Sequence, residues 1–263
     1  MATPAWDEAQ LRRVEDAGLN ASAPPQQRWM DGWLLRASPG KAKRARCINA
    51  VAPGHQPWQD KLARASAWFE EQGLPLLFRI TPYTEPADLD ERLATAGWAP
   101  LDDTRVMVCP ALTAGTPAVW PAGLTCVPLP AHALAEAIGR LRGSPAAQRQ
   151  AHAERLASSP VPYSGWAVQQ VAGEVLACGQ FAREGDLVGL YDIHTAPAAR
   201  NQGLARRLCE HLLTEAFRQG ARVAYLQVEA DNAPARHIYG RLGFADAYAY
   251  HYRQAPPPAG SGA

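Results

Sequence analysis

Apolar and small residues at Leu204, Ala205, Leu208, Cys209, Leu212, Leu213, Ala216 and Phe217 recur with helical period, while Arg206, Arg207, Glu210 and Arg218 fall on the other side. This pattern predicts an amphipathic helix from Leu204 with one buried face, closed at Gly220 by a left-handed cap. The same reading gives the first half a helix from Trp6 to Ala17, a strand around Trp33 to Leu35 and a strand through Ala45 to Val51. A helix from Trp58 to Gln72, the strand LPLLFRIT, the short helix PADLDERLATAG and the strand TRVMVC follow. The second half reads as a strand from Leu124 to Val127, helices Ala131 to Leu141 and Ala146 to Ala157, and a hairpin from Gly165 to Phe181. After these come the strand LVGLYDIHT, the helix at Leu204, the strand ARVAYLQVEA, a helix around Ala235 to Leu242 and the strand AYAYHYR. Strands alternating with helices imply an α/β or mixed α+β core in each half.

The run CPALTAGTPAVWPAG, Cys109 to Gly123, has neither period and reads as a linker. It sets expected boundaries of 1–109 for a first domain, 110–123 for the linker and 124–253 for a second domain. Residues 254–263, QAPPPAGSGA, are expected to be a disordered tail. The two halves read as distant copies. In each, a helix ends at Gln-Gly, an apolar strand follows, and a second helix ends at a glycine before an aromatic residue. The glycines are 24 residues apart in the first half (Gly73, Gly97) and 23 in the second (Gly220, Gly243).

Composition narrows the function classes. A net charge of +1 over 263 residues gives no support to nucleic acid or an anionic membrane as partner. The basic run KAKRAR, Lys41 to Arg46, has no interleaved aromatics and reads as a solvated loop or strand face. The start MATPAWDEAQ is acidic where a secretory signal is basic, and no apolar run approaches the ~20 residues of a membrane span, so a cytoplasmic protein is expected. Five scattered cysteines fit reduced thiols rather than a metal site or a disulfide scaffold.

The start of the helix at Leu204 carries the chemistry. A first turn leaves N–H groups without intrahelical partners at the positive end of the helix dipole, which suits an anion. Gly203 lets a phosphate approach the backbone, Ala205 keeps the next amide accessible, and Arg200, Arg206 and Arg207 can add charge-assisted bonds. On these residues alone, an ordinary strand-to-helix turn reads equally well. The runs DIHTAPAARNQGLARRL and LQVEADNAPARHIYGRLGF together resemble the GNAT superfamily of acyl-CoA-dependent N-acetyltransferases. The family's phosphate loop, Arg/Gln-x-x-Gly-x-Gly/Ala, is matched by Arg200, Gly203 and Ala205. Its later asparagine, helix-borne tyrosine and Gly-Phe are matched by Asn232, Tyr239, Gly243 and Phe244.

The resemblance implies two tandem GNAT-like domains, each a mixed sheet flanked by helices, with the first copy degenerate. Aligning Gly97 with Gly243 sets Leu93 opposite Tyr239 and puts APGHQPW in the place of the phosphate loop, so one active site per chain is expected. It further implies acetyl-CoA as cosubstrate, lying along Ile193 and Thr195, with its pyrophosphate at Arg200, Gln202, Gly203, Leu204, Ala205 and Arg206, and Asn232 bonded to it. Asn232 reads equally as a helix cap before Pro234. Tyr239 is the implied general acid for the departing thiolate. A base is needed for an ammonium of pKa near ~10.4, and Asp192 and Glu229 are its candidates, with His194 a further one. The expected acceptor is a small-molecule amine or a peptide amino group, and the expected state a monomer or homodimer. A CoA-binding sensor or scaffold and a transferase of longer acyl groups remain the alternatives.

Overall fold

The structure, a computed structural model, describes residues 7–116 and 118–256. Its elements are α1 (Glu8–Ala21), β1 (Gln26–Met30), β2 (Trp33–Ala37), β3 (Ile48–Ala50), α2 (Trp58–Glu71), β4 (Leu77–Ile80), α3 (Leu89–Thr95), β5 (Ala99–Cys109), β6 (Leu124–Leu129), α4 (Ala131–Leu141), α5 (Ala146–Ala157), β7 (Tyr163–Gln170), β8 (Val175–Glu184), β9 (Leu187–Thr195), α6 (Leu204–Arg218), β10 (Val223–Glu229), α7 (Ala233–Arg241) and β11 (Ala245–Gln254). This is the mixed α/β class that the alternation of periods implies.

Two compact units result: among the described residues, a larger one of 7–22 with 106–247, and a smaller one of 23–105 with 248–256. The partition does not follow the linker. Helix α1 opens the first half in sequence but belongs to the larger unit, because its small residues let it lie on that unit's sheet. A Cβ on its Gly18 would stand 3.1 Å from Gln227 Nε2, and the Tyr163 hydroxyl donates to Ala21 O at 2.5 Å. Strands β5 and β11 each begin in one unit and end in the other.

Within the larger unit, β6 to β9 form an antiparallel meander and β10 joins β9 in parallel. One face of this sheet, with Phe181, Val188, Leu190 and Leu226, packs on Leu208, Leu212 and Ala216 of α6, as the helical period predicts. The opposite face, with Ala167 and Cys178, packs on Leu134, Ala135 and Ile138 of α4 and Leu156 of α5. The smaller unit pairs β1 with β2, β2 with β3, β3 in parallel with β4, and β4 with β11. Its core is aromatic: Phe78 meets Trp33 and Trp98 edge-on at centroid distances of 4.9 and 5.5 Å.

Three local expectations are corrected. Strand β1 was not expected, since QQRWM lacks alternating apolar positions and four of its five residues are exposed; it forms because Asp31 and Gly32, both at positive φ, close a two-residue hairpin onto β2. The tail begins later than 254, because Gln254 pairs with Leu77 and Ala255 N donates to Leu76 O; the rest of that expectation, from 257, lies outside the described residues. The run KAKRAR is not a solvated loop: Lys43–Ala45 form a 3₁₀ turn, Lys43 pairs with Asp102 at 2.6 Å, and the Nε atoms of Arg44 and Arg46 are buried.

Gly189 lets Tyr191 and Tyr225 meet hydroxyl to hydroxyl at 2.9 Å, and a Cβ there would stand 2.6 Å from a ring atom of each. Stiff rings cannot yield as a flexible chain would, so Gly189→Ala should destabilise the fold by about 1–3 kcal/mol. A lower urea midpoint with unchanged slope checks this.

Candidate active site

The site begins where β9 leaves its neighbours. Against β8 the register shifts between Gln180, opposite Tyr191, and Cys178, opposite His194, so β9 carries one extra residue there. Asp192 takes up the bulge at φ 53°, a left-handed conformation that aspartate tolerates better than most residues. On the other edge, β9 pairs with β10 only from Leu187–Val223 to Leu190–Leu226, yet β9 continues to Thr195 and β10 to Glu229. The two strands thus splay, and the backbone of 191–195 faces a gap. The side chain of Ile193 packs against the core beneath α6, so its main chain is what lies along that gap. Thr195 adds a buried Oγ1 that meets no hydrogen-bond partner among the described residues.

The strand leads into a 3₁₀ turn, Pro197–Ala199, and then Arg200, Asn201 at φ 61°, Gln202 and Gly203. Gly203 is the N-cap of α6 at φ 74°, and among the described residues no side chain caps the helix and nothing lies within 4 Å of where a Cβ would stand. The first-turn amides of Leu204, Ala205 and Arg206 therefore open onto free space at the positive end of a 15-residue helix. Arg206 is drawn down the helix to Glu210 at 2.9 Å, and Arg207 donates to Val119 O at 2.8 Å. Gln202 folds back on Ala198 O at 3.3 Å. Arg200 is exposed beside the turn and makes no such bond among the described residues.

Asn232 caps α7, its Oδ1 accepting from Ala235 N at 3.2 Å, which leaves its amide NH₂ for other work. Glu229 lies exposed at the end of β10. Tyr239 sits half-buried on α7, packed against the α6 core and edge-on to Phe244 at 6.1 Å. Burial, with Cys209 nearby, pushes its phenol well above the usual 10, so it holds its proton at neutral pH.

On the α4 and α5 side of the bulge, Asp192 is the hub of a polar cluster. Arg142 donates to its Oδ1 at 2.7 Å, Gln180 to its Oδ2 at 2.6 Å, and His152 Nε2 lies 3.3 Å from the same Oδ2. Burial pushes the carboxyl up, but His152, Arg142 and Arg155 together outweigh it and hold it well below the ordinary range. Arg142 also donates through Nε to His194 Nε2. Burial, reinforced by Arg142, lowers that imidazole to about 4, so it is neutral and already engaged. Sequence reading missed Arg142, His152 and Gln180, which stand 12 to 50 residues from Asp192 on other elements and belong to no short motif.

The smaller unit has a loop of its own ahead of a helix. In the segment aligned with the phosphate loop, the N–H groups of His55 and Gln56 donate to Asp31 at 2.9 Å, ahead of α2. These bonds and Lys61, 3.3 Å away, hold Asp31 down to about 2. Asp31, a carboxylate of the chain itself, thus takes the amides ahead of α2, whereas no side chain caps the start of α6 among the described residues. Leu93, aligned with Tyr239, is fully buried in the aromatic core.

The family model described as Probable histone acetyltransferase Rv0428c C-terminal matches residues 8–253. The Uncharacterized N-acetyltransferase YobR of Bacillus subtilis is 24% identical over 245 residues, which cover 92% of this chain and 98% of that protein. Among solved structures, a GCN5-related N-acetyltransferase from Kribbella flavida superposes with a TM-score of 0.67 at 18% identity, over 93% of this chain and 95% of that one. A tandem GNAT protein from the clavulanic acid biosynthesis pathway has a TM-score of 0.64 at 14% identity, over 89% and 85%.

The lowered His194 has a signed consequence for stability. As pH falls through the usual 6.5 the unfolded chain binds a proton that the folded chain refuses until about 4. The contribution of His194 is therefore full above about 6.5, lost progressively between 6.5 and 4, and constant below. In urea unfolding from pH 7.5 to 4.5, wild type should lose more stability than His194→Gln.

Proposed function

The chain belongs to the family described as Probable histone acetyltransferase Rv0428c C-terminal, within the GNAT superfamily of acetyltransferases, and from that premise we propose that its second half moves an acetyl group from acetyl-CoA to a primary amine. The observation that carries the reading is the open, left-handed Gly203 at an uncapped helix start, reached directly from a strand that has parted from its parallel neighbour. These residues fit the ligand. The amides of Gly203 to Arg206 and the side chain of Arg200 would hold the pyrophosphate, the main chain of Ile193 and Thr195 the pantetheine arm, and the Asn232 amide a further polar group. Gln202, Leu204 and Ala205 contribute backbone rather than side chains.

When bound, acetyl-CoA supplies an activated acyl thioester. Tyr239 then protonates the departing sulfur. Its raised pKa suits it to remain neutral until then, and the same apolar surroundings penalise a thiolate, which needs the proton as the carbon–sulfur bond breaks. Attack is direct, within a ternary complex, since no cysteine lies in the motifs and burial pushes Cys178 and Cys209 up to about 12. For the base, Asp192 is weak because its oxygens are committed, and Glu229, exposed at the splayed end of β10, is the carboxylate open to a water path. The first half supplies no second cofactor site, because Asp31 fills its cradle.

Calorimetric titration with acetyl-CoA should give one site per chain, and Gly203→Trp should abolish it. Two sites would overturn the assignment of Asp31, and no binding the whole reading. Tyr239→Phe should lower kcat by about 10²-fold or more while acetyl-CoA affinity holds. Binding without turnover on any amine would favour the sensor.

A further inference from the structure

Removal of the ammonium proton is the step that the motif residues serve poorly. Asp192 has both oxygens engaged, His194 accepts from Arg142, and Glu229, exposed at the end of β10, would reach the amine only through water. Helix α5 brings another group to the same carboxylate: His152 Nε2 lies 3.3 Å from Asp192 Oδ2, with the side chain 15% exposed. We infer that His152, oriented by Asp192 at the bulge of β9, is the general base that deprotonates the acceptor amine, an inference that rests on the acyl-transfer reading above.

The geometry supplies what such a base needs. An Nε2–H donated to Asp192 makes Nδ1 the proton acceptor, and the carboxylate steadies the imidazolium that forms. Asp192 can play this part because Arg142 and Gln180 hold its other lone pairs, so the carboxylate is fixed and charged. It directly precedes Ile193, so the imidazole stands beside the strand segment proposed to carry the thioester arm. Asp192 of β9 faces His152 directly, and the charged and titratable groups gathered about that carboxylate are His194 from β9, Arg142 from the end of α4, Arg155 from α5 itself and Cys178 from β8; Gln180 from β8 is neutral.

The protons balance. One ammonium proton passes to Nδ1 of His152, and the neutral nitrogen attacks the carbonyl carbon, forming the C–N bond as the C–S bond breaks. Sulfur leaves with the electron pair and takes the phenolic proton of Tyr239. A second nitrogen proton restores the phenol, and the imidazolium returns its proton to solvent. Ammonium and thioester become amide, thiol and one released proton.

The test measures kcat/KM against pH, with acetyl-CoA and an amine that wild type turns over, for wild type, His152→Gln, His152→Ala and Asp192→Asn. The expected result is a loss of about 10²-fold or more in kcat for His152→Gln with acetyl-CoA affinity unchanged. Its profile should lack the imidazole limb, and free imidazole should restore turnover to His152→Ala. Asp192→Asn should lower kcat with acetyl-CoA affinity unchanged, because the imidazole loses the carboxylate that orients it. Wild-type kcat and profile in His152→Gln would overturn the inference, as would loss of activity together with acetyl-CoA binding and no imidazole rescue. Absence of wild-type turnover on every amine would sink the acyl-transfer reading and this inference with it, whereas an active wild type beside an unchanged His152→Gln sinks this inference alone.

Discussion

A backbone that gives up hydrogen bonds needs something else to make them, and the larger unit is organised around one such place. Strands β9 and β10 pair for four residues and then part, although each continues. In a buried parallel sheet the groups released in this way are costly unless a ligand or solvent meets them. The bulge at Asp192 and the left-handed Gly203 bracket this opening. One re-aims the strand, and the other turns the chain so that a helix N-terminus faces the same gap. The recognition proposed for this opening runs through the main chain, which asks little of the side chains on the strand.

Side chains enter at the margins, where charge must be handled. Tyr239 holds its proton more firmly than an ordinary phenol because the core beside it is apolar, and Asp192 stays charged despite burial because cationic and amide donors surround it. Two groups separated by one sheet are thus held in opposite protonation states by opposite surroundings. That division of labour is what the acyl transfer proposed here asks of a protein.

Much of this was legible in the residues. The period of α6, its glycine start, and the runs that became β8 to β10 are local properties, and local physics reads them directly. The helices α4 and α5 came out with their observed bounds because their apolar spacing is regular. The membership of α1 in the larger unit and the polar hub at Asp192 were not legible. Both depend on which distant elements meet: Gly18 on α1 signals close approach without naming the partner, and His152 in AHAERL is one more polar residue on a helix. The edge strand β1 was lost for a different reason. Its exposed residues carry no pattern, and only the Asp31-Gly32 turn betrays it.

The path of β5 and β11 bears on ancestry as well as architecture. Each strand starts in one compact unit and finishes in the other, and α1 lies with the unit farther from it in sequence. If the halves descend from one duplicated gene, the segment that was copied is no longer the segment that folds. Severing the chain between Cys109 and Leu124 would strip the larger unit of α1 and the end of β5, and the smaller unit of its last strand. The halves have become a single heritable object, of which neither can be discarded without unmaking the other.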